Sequence, residues 1–406
     1  MRGPVGRATA PASASGTDAG VAELHRVTPR PSVDERPRLN LLLPTLEAGR
    51  RFGGANTALD LFDTLAPAFP RRRIVAFTPV SADAVAALDG FRLANAAEDP
   101  PDERLVVAAP RGGDTTLAVG ASDVFLATFW TTAELAIRLV RWQAGTFDAL
   151  PRPFAYLIQD YEPGFYPWSA QSELARGTYA LDVPTIAVVN SGLLGEYLGS
   201  QGMRFERQFT FEPRLSPALR SVLAEPPRPR QRRVVVYGRP ETPRNAFPLI
   251  VDGLRAWVRG GAGGWEFVSA GRAHPSVDLG DDVRLRSLGK LDLAAYGSLL
   301  RESAIGVSLM VSPHPSYPPL EMSHLGMRVI TNRFGPKDLS TWHENIHSLE
   351  RLSAESLAAA LTAEAAAFDA DPAAGDSARS LRDDYLADGP LFPFASELAA
   401  ALLAGS

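Results

Sequence analysis

Short, nearly uninterrupted apolar runs recur along this chain, each parted from the next by a stretch of helical character. Residues 39–43, 74–77, 124–127, 154–158 and 185–189 form one series, and residues 234–237, 265–269, 283–285, 305–310 and 328–331 a second. A strand that is apolar at consecutive positions must be covered on both faces, which is what a parallel sheet between helical layers provides. A helix is expected from about Ala55 to Leu65, and Ser191 is placed to cap another that carries Leu194 and Leu198. Ala- and Leu-rich stretches near 353–368 and 393–404 read as amphipathic helices. The expected fold class is therefore α/β, with two successive Rossmann-like, doubly wound parallel-sheet domains facing a cleft. Sheets of this kind bind ligands at the carboxyl ends of their strands.

The domain boundaries follow from composition. Residues 1–37 are rich in Ala, Ser, Pro and Gly and read as a flexible tail without the apolar segment of a signal peptide. Residues 38–212 make the first Rossmann-like domain, and 213–232, rich in Pro and Arg, a linker whose basic run reads as solvated. Residues 233–390 make the second domain, and 391–406 a terminal amphipathic helix placed to pack back on the first. A net charge of −5 argues against a general nucleic-acid binder, and no apolar run is long enough for a membrane span. Zero cysteines exclude disulfides, thiol catalysis and cysteine-ligated zinc. Among 41 basic residues only Lys290 and Lys337 are lysine, which singles out two compact point charges in an arginine-rich chain.

The stretch from Ser312 to Asn332 carries the most chemistry. It reads as a loop, a short helix entered at Pro318 and Pro319, a stop at Gly326 and a buried strand. Free N–H groups of Leu320, Glu321 and Met322 would point out of that helix start and suit an anion. The Glu321 carboxylate can accept hydrogen bonds from sugar hydroxyls. Together these suit a nucleoside diphosphate. Arg239 and Arg244, in a turn after the strand at 234–237, have the fork geometry of phosphate ligands, though an arginine-rich surface loop would look the same. Gly53 and Gly54 let backbone approach a ligand closely, or simply make a tight turn. Gln159, Asp160, Tyr161 and Glu162 open a loop of acids, an amide and aromatics, reaching Trp168, that suits a sugar face.

Other patterns carry less. His343 to His347 spells the H-E-x-x-H zinc signature, but its surroundings read as a loop or short strand rather than the helix that chemistry needs. The acidic pairs Asp281–Asp282 and Asp383–Asp384 read as solvated charges. No Ser-His-Asp arrangement stands out.

These motifs resemble those of the GT-B retaining glycosyltransferases of family four. More closely, residues 39–44 with 52–54, 159–163, 237–240 with Arg244 and Asn245, and 312–322 resemble the WsaF-type rhamnosyltransferases of bacterial surface-glycan assembly. The likeness spans about residues 38–400. It implies transfer of L-rhamnose from dTDP-β-L-rhamnose, or of a sugar from another nucleotide sugar, to a growing surface glycan or polysaccharide. The alternatives on the same fold are a non-catalytic nucleotide-sugar or glycan-binding module and a sugar-nucleotide epimerase. The resemblance implies that Arg239 and Lys290 contact the diphosphate, with Arg244, Gly53 and Gly54 near it. Leu291 would border the base, backbone donors near Leu320 would help at the diphosphate, Ser316 and Tyr317 would line the nucleotide site, and Glu321 would bind the nucleoside sugar. Gln159 and Asp160, with Tyr161 and Glu162, would face the transferred sugar or the acceptor, and Asp160 joins Arg239 and Lys290 as catalytic. No cofactor and no metal is implied. The partners implied are the nucleotide-sugar donor and a glycan acceptor, with room for a lipid-linked acceptor, in a cytoplasmic setting that allows peripheral association with the inner membrane face.

Two departures qualify the likeness. The wider family often has glutamates flanking seven residues, whereas Pro313 stands eight before Glu321. The family also often carries His before the loop aspartate, where this chain has Gln159; that His commonly serves a sugar 6-hydroxyl, which a 6-deoxy sugar lacks.

Overall fold

The structure, a computed structural model, describes residue 21 and residues 23–47, 53–110, 115–179 and 183–404. The strands of the first half are β1 (Val27–Pro31), β2 (Arg38–Leu43), β3 (Arg71–Ala76), β4 (Arg92–Ala94), β5 (Arg104–Ala108), β6 (Thr115–Val119), β7 (Asp123–Ala127), β8 (Phe154–Ile158), β9 (Thr185–Asn190) and β10 (Arg207–Phe211). Its helices are α1 (Gly53–Leu65), α2 (Ala82–Ala86), α3 (Trp130–Phe147), α4 (Ala170–Gly177) and α5 (Gly192–Ser200). Eight of these strands form one sheet in the order β10-β9-β8-β7-β2-β3-β5-β4. All its pairs are parallel, and β1 and β6 form a separate parallel ribbon.

After α6 (Pro217–Leu223), the second half contributes β11 (Gln231–Gly238), β12 (Glu266–Gly271), β13 (Val277–Gly280), β14 (Val283–Gly289), β15 (Ser303–Val307), β16 (Arg328–Asn332) and β17 (Ile346–Leu349). Its helices are α7 (Phe247–Arg259), α8 (Leu293–Arg301), α9 (Pro318–His324), α10 (Ala354–Ala370) and α11 (Ala374–Ser377), and α12 (Ala395–Ala404) is the last described element. The second sheet has the order β13-β14-β12-β11-β15-β16-β17, with only β13 antiparallel. Strand order reverses direction between β2 and β7 in one sheet and between β11 and β15 in the other. Those are the topological switch points at which doubly wound sheets hold ligands. Two Rossmann-like domains are thus present, each with helices packed on both faces of its sheet.

Three boundary expectations need correction. The tail does not run loose to residue 37: β1 pairs with β6, and buried His25 stacks on Phe77 at 3.7 Å. The expectation for residues 1–20 and 22 lies outside the described residues. The linker is likewise built into the second domain. Leu219 and Val222 of α6 enter its core, and a Cβ on Gly297 of α8 would meet Val222 at 2.9 Å. Its basic run is not simply solvated either. The Arg230 side chain is 3% exposed, bonds the carbonyls of Leu300, Ser303 and Leu325, and pairs with Asp376 at 2.5 Å. Arg230 thereby bonds carbonyl groups near the C-terminal ends of α8 and α9.

The terminal helix packs on the first domain. Leu398 and Leu402 of α12 are fully buried beside Phe62 and Leu65 of α1, while Phe394 stacks on Phe209 at 4.9 Å. The first and last described elements therefore lie in the same lobe. Among the described residues no helix is long and apolar enough to cross a membrane. Truncating Leu398 to Ala should destabilise the first domain by about 2–5 kcal/mol, the usual cost of a buried leucine cavity. Urea unfolding followed by tryptophan fluorescence tests this; an unchanged midpoint would show that α12 adds nothing to the lobe.

Candidate active site

The carboxyl edges of the two sheets meet, and predicted residues from both halves converge there. Strand β8 delivers Gln159 and Asp160. Gln159 Nε2 donates to the Gly54 carbonyl at 2.9 Å, which ties the start of α1 to this edge. A Cβ on Gly54 would lie 3.0 Å from that amide, so any larger residue would crowd the Gln159 side chain. Gly53 is the first residue of α1, and Phe52 of the same motif lies outside the described residues. Asp160 reaches into the other domain, where it accepts a short hydrogen bond from Ser312 Oγ and pairs with Arg244 at 3.4 Å.

Arg244 is positioned from its own side. It sits in a 3-10 turn, Pro243–Asn245, whose backbone is tied to the segment after β15. Val311 N–H donates to the Arg244 carbonyl at 2.7 Å, and Asn245 Nδ2 donates to Leu309 O at 3.3 Å. The guanidinium lies 3.9 Å over the Phe165 ring of the first domain. The segment after β15 makes further cross-domain contacts. Asn190, at the end of β9, donates to the Tyr317 hydroxyl at 3.3 Å. Tyr161 packs on Tyr197 at 5.1 Å, and Tyr197 on Phe334 of the second domain at 5.8 Å.

Cations line the carboxyl edge of the second sheet. Gly238 and Gly271 are register partners, as are Ala270 and Gly289, so Arg239, Arg272 and Lys290 follow three neighbouring strands. Arg239 lies 3.8 Å from Glu241, which also holds Arg272 at 2.7 Å. Lys290 is exposed beyond Gly289, whose φ of +65° favours glycine, and Leu291 beside it is half-buried. Sequence reasoning missed Arg272, because nothing in one sequence reveals that the strand before it adjoins the strand before Arg239.

Lys337 is the larger omission. It is fully buried, and its Nζ donates to Met310 O at 2.6 Å, behind the segment that carries Ser312. Burial pushes its ammonium down to about 7, against the opposing attraction of Asp160. The scarcity of lysine marked both Lys290 and Lys337, but not which of them is buried.

Several expected roles change. The Glu162 carboxylate does not face a sugar. It is buried in the first domain, where it accepts from Trp130 N–H at the start of α3 and from Tyr156 OH at 3.0 Å. Burial raises it to about 8, against those two hydrogen bonds. Its work is to cap α3. Tyr161 spends its ring on packing between Tyr179 and Tyr197. The amides at α9 are also less free than expected. Pro318 and Pro319 have no N–H, and Glu321 N–H bonds Tyr317 O at 2.9 Å. With seven residues, α9 has only a short dipole. Gly326 does end the helix, at φ +85°, with a Cβ position that Arg230 would fill.

Glu321 projects from α9, and burial raises its carboxyl to about 7, against the opposing effect of the neighbouring Tyr296 hydroxyl. Ser316 is buried at φ +69°, and Leu320 is a core residue. His343 and His347 share no helix: His343 precedes β17, while His347 lies on it and bonds Glu364 at 3.2 Å. Burial pushes His343 down to about 3. Among the described residues no group of three or more His, Cys, Asp or Glu could hold a metal ion.

The two-sheet architecture with a cleft at both carboxyl edges is the GT-B fold. WaaG, a glycosyltransferase involved in lipopolysaccharide biosynthesis, shares it at a TM-score of 0.54 and 11% identity, over 90% of this chain and 99% of that one. Sucrose-phosphate synthase from Thermosynechococcus elongatus shares it at 0.50 and 13% identity, over 90% and 95%. Residues 38–192 match the WsaF N-terminal domain and residues 232–362 the WsaF C-terminal domain. The chain belongs to the WsaF family. It is also 35% identical over 219 residues to the O-antigen biosynthesis protein RfbC of Myxococcus xanthus. That match spans 52% of this chain but only 16% of its relative.

The raised Glu162 carboxyl makes a pH prediction. A carboxyl whose folded pKa lies above its unfolded value holds an extra proton when folded. Its contribution is therefore fully present below about 4.5 and is lost as pH rises through about 8. Glu162→Gln keeps an acceptor for Trp130 and removes that titration. Relative to wild type, its stability should rise progressively between pH 5 and 8, measured by urea unfolding. Parallel pH profiles would refute the buried placement.

Proposed function

We propose that the chain is a glycosyltransferase that moves L-rhamnose from dTDP-β-L-rhamnose to a growing bacterial surface glycan. One observation carries the reading: Arg239, Arg244, Arg272 and Lys290 gather at the carboxyl edge of one sheet, opposite Asp160 from the other. Membership of the WsaF family, the O-antigen relative and the GT-B fold support it. In this reading the enzyme is a retaining transferase of family four, and its nucleotide lies on the second domain.

The chemistry follows from charge. The bond from the sugar anomeric carbon to the diphosphate oxygen breaks and leaves its electron pair on that oxygen. The acceptor hydroxyl oxygen bonds the same carbon and gives up its proton to the departing phosphate side. The sugar passes through an oxocarbenium-like state while negative charge grows on the leaving diphosphate. Fixed cations aimed at that charge, in a cleft with little water, lower the barrier without reorganising. Arg239 and Lys290 are assigned to the diphosphate, with Arg244 held at the domain boundary by Asp160 and Phe165. Glu321 is assigned to the nucleoside sugar, where a deoxyribose offers only its 3′-hydroxyl. Gln159 and Asp160 are assigned to the transferred sugar or acceptor. The acceptor can be lipid-linked, with the protein peripheral to the inner membrane face.

Arg239→Ala and Lys290→Ala should each lower transfer about a hundredfold or more while leaving the melting temperature intact. Released dTDP and glycosylated product, counted together, give the rate. Full activity in both variants removes the assignment. A thermal-shift panel should show dTDP and dTDP-rhamnose stabilising the protein more than UDP and GDP.

A further inference from the structure

His314 lies between β15 and α9, beside the residues through which the two domains touch. The residue is 7% exposed, and its ring packs 5.8 Å from that of Tyr317. Ser316 N–H donates to Nδ1 at 2.9 Å. A backbone amide can only donate, so Nδ1 is an acceptor and the neutral ring carries its proton on Nε2. Ser316 holds that geometry at a φ of +69°, where a residue other than glycine is strained. The loop thus accepts strain in keeping the imidazole in one orientation.

The other nitrogen is the anomaly. Nε2 is buried and has no hydrogen-bond partner. An unmatched buried N–H costs free energy, and native structures rarely keep one without a reason. Asp160 cannot serve it readily, since its carboxylate is engaged by Ser312, the Tyr161 amide and Arg244. Burial keeps the ring neutral, at about 4, with Lys337 and Arg244 adding to that and Asp160 opposing it. The ring is therefore a fixed neutral donor, buried beside the cross-domain Asp160–Arg244 pair, without an acceptor.

We propose that His314 Nε2–H holds an oxygen of the bound sugar nucleotide, either a hydroxyl of the transferred sugar or an oxygen of the diphosphate. This rests on the glycosyl-transfer reading above. Pro313, eight positions before Glu321, can offer no side-chain hydrogen bond to the donor, and the adjacent imidazole supplies one.

The test compares wild type, His314→Phe and His314→Gln by titration calorimetry with dTDP, UDP, GDP, dTDP-rhamnose, UDP-glucose and GDP-mannose. The Gln amide nitrogen sits close to the place of Nε2 and retains its donor. His314→Phe should weaken binding roughly two- to tenfold, and His314→Gln should recover most of the loss. A loss confined to the sugar nucleotide assigns the oxygen to the sugar; an equal loss for the bare nucleotide assigns it to the diphosphate. Unchanged affinity in His314→Phe, or equal losses in both variants, overturns the inference and leaves the transferase reading intact. A wild-type protein that binds none of the six overturns the transferase reading itself.

Discussion

Asp160 touches both halves of the molecule. Its carboxylate leaves the end of one sheet and meets a hydroxyl and a guanidinium offered by the other. Arg244 is fixed in turn by its backbone on one side and by the Phe165 face on the other. The pair lies in a part-buried place, where opposite charges attract more strongly than in water. Each charge would be costly there without its partner. The mutual placement of the domains, and so the width of the cleft, depends on that exchange, with Asn190–Tyr317 and Tyr197–Phe334 as flanking contacts.

Charge is distributed unequally about this contact. The second sheet presents three cationic side chains at successive strand ends, of which Glu241 holds Arg272 and lies near Arg239. Lys290 stands exposed. Behind them, Lys337 and His314 are buried; desolvation lowers the Lys337 ammonium to about 7 and keeps the His314 ring neutral. The outer cations suit a diphosphate that arrives and departs. The inner groups suit fixed orientation. At the opposite edge of the first sheet, Arg38 and Arg73 are buried around Asp123, at 2.8 and 3.6 Å. That network is structural and lies away from the cleft.

Most of the architecture was legible because consecutive apolar residues leave few choices. All ten runs singled out in the sequence overlap strands of the sheets, and α10 and α12 occupy their expected stretches. What escaped notice was charged or short. Strand β3 was marked only by its run at 74–77; its first half, Arg71, Arg72 and Arg73, is masked by charge, yet Arg71 and Arg73 are buried. Strand β10 alternates exposed and buried positions at an edge, and α6 was hidden in a Pro- and Arg-rich segment. At the site, the loop after β8 and the segment before α9 were identified as chemistry-bearing from residue type alone. Which of their groups face the cleft was not. Glu162 and Asp160 are two positions apart in one loop, but one turns into the core and the other across the domain boundary. Lys337 and Lys290 are equal on paper and opposite in burial.

The most direct test of the central claim is a crystal structure of the protein soaked with thymidine diphosphate. The account predicts the diphosphate at the carboxyl edge of the second sheet, contacted by Arg239 and Lys290, with the deoxyribose near Glu321. A nucleotide bound elsewhere, with that edge closed by the protein's own chain, would contradict it.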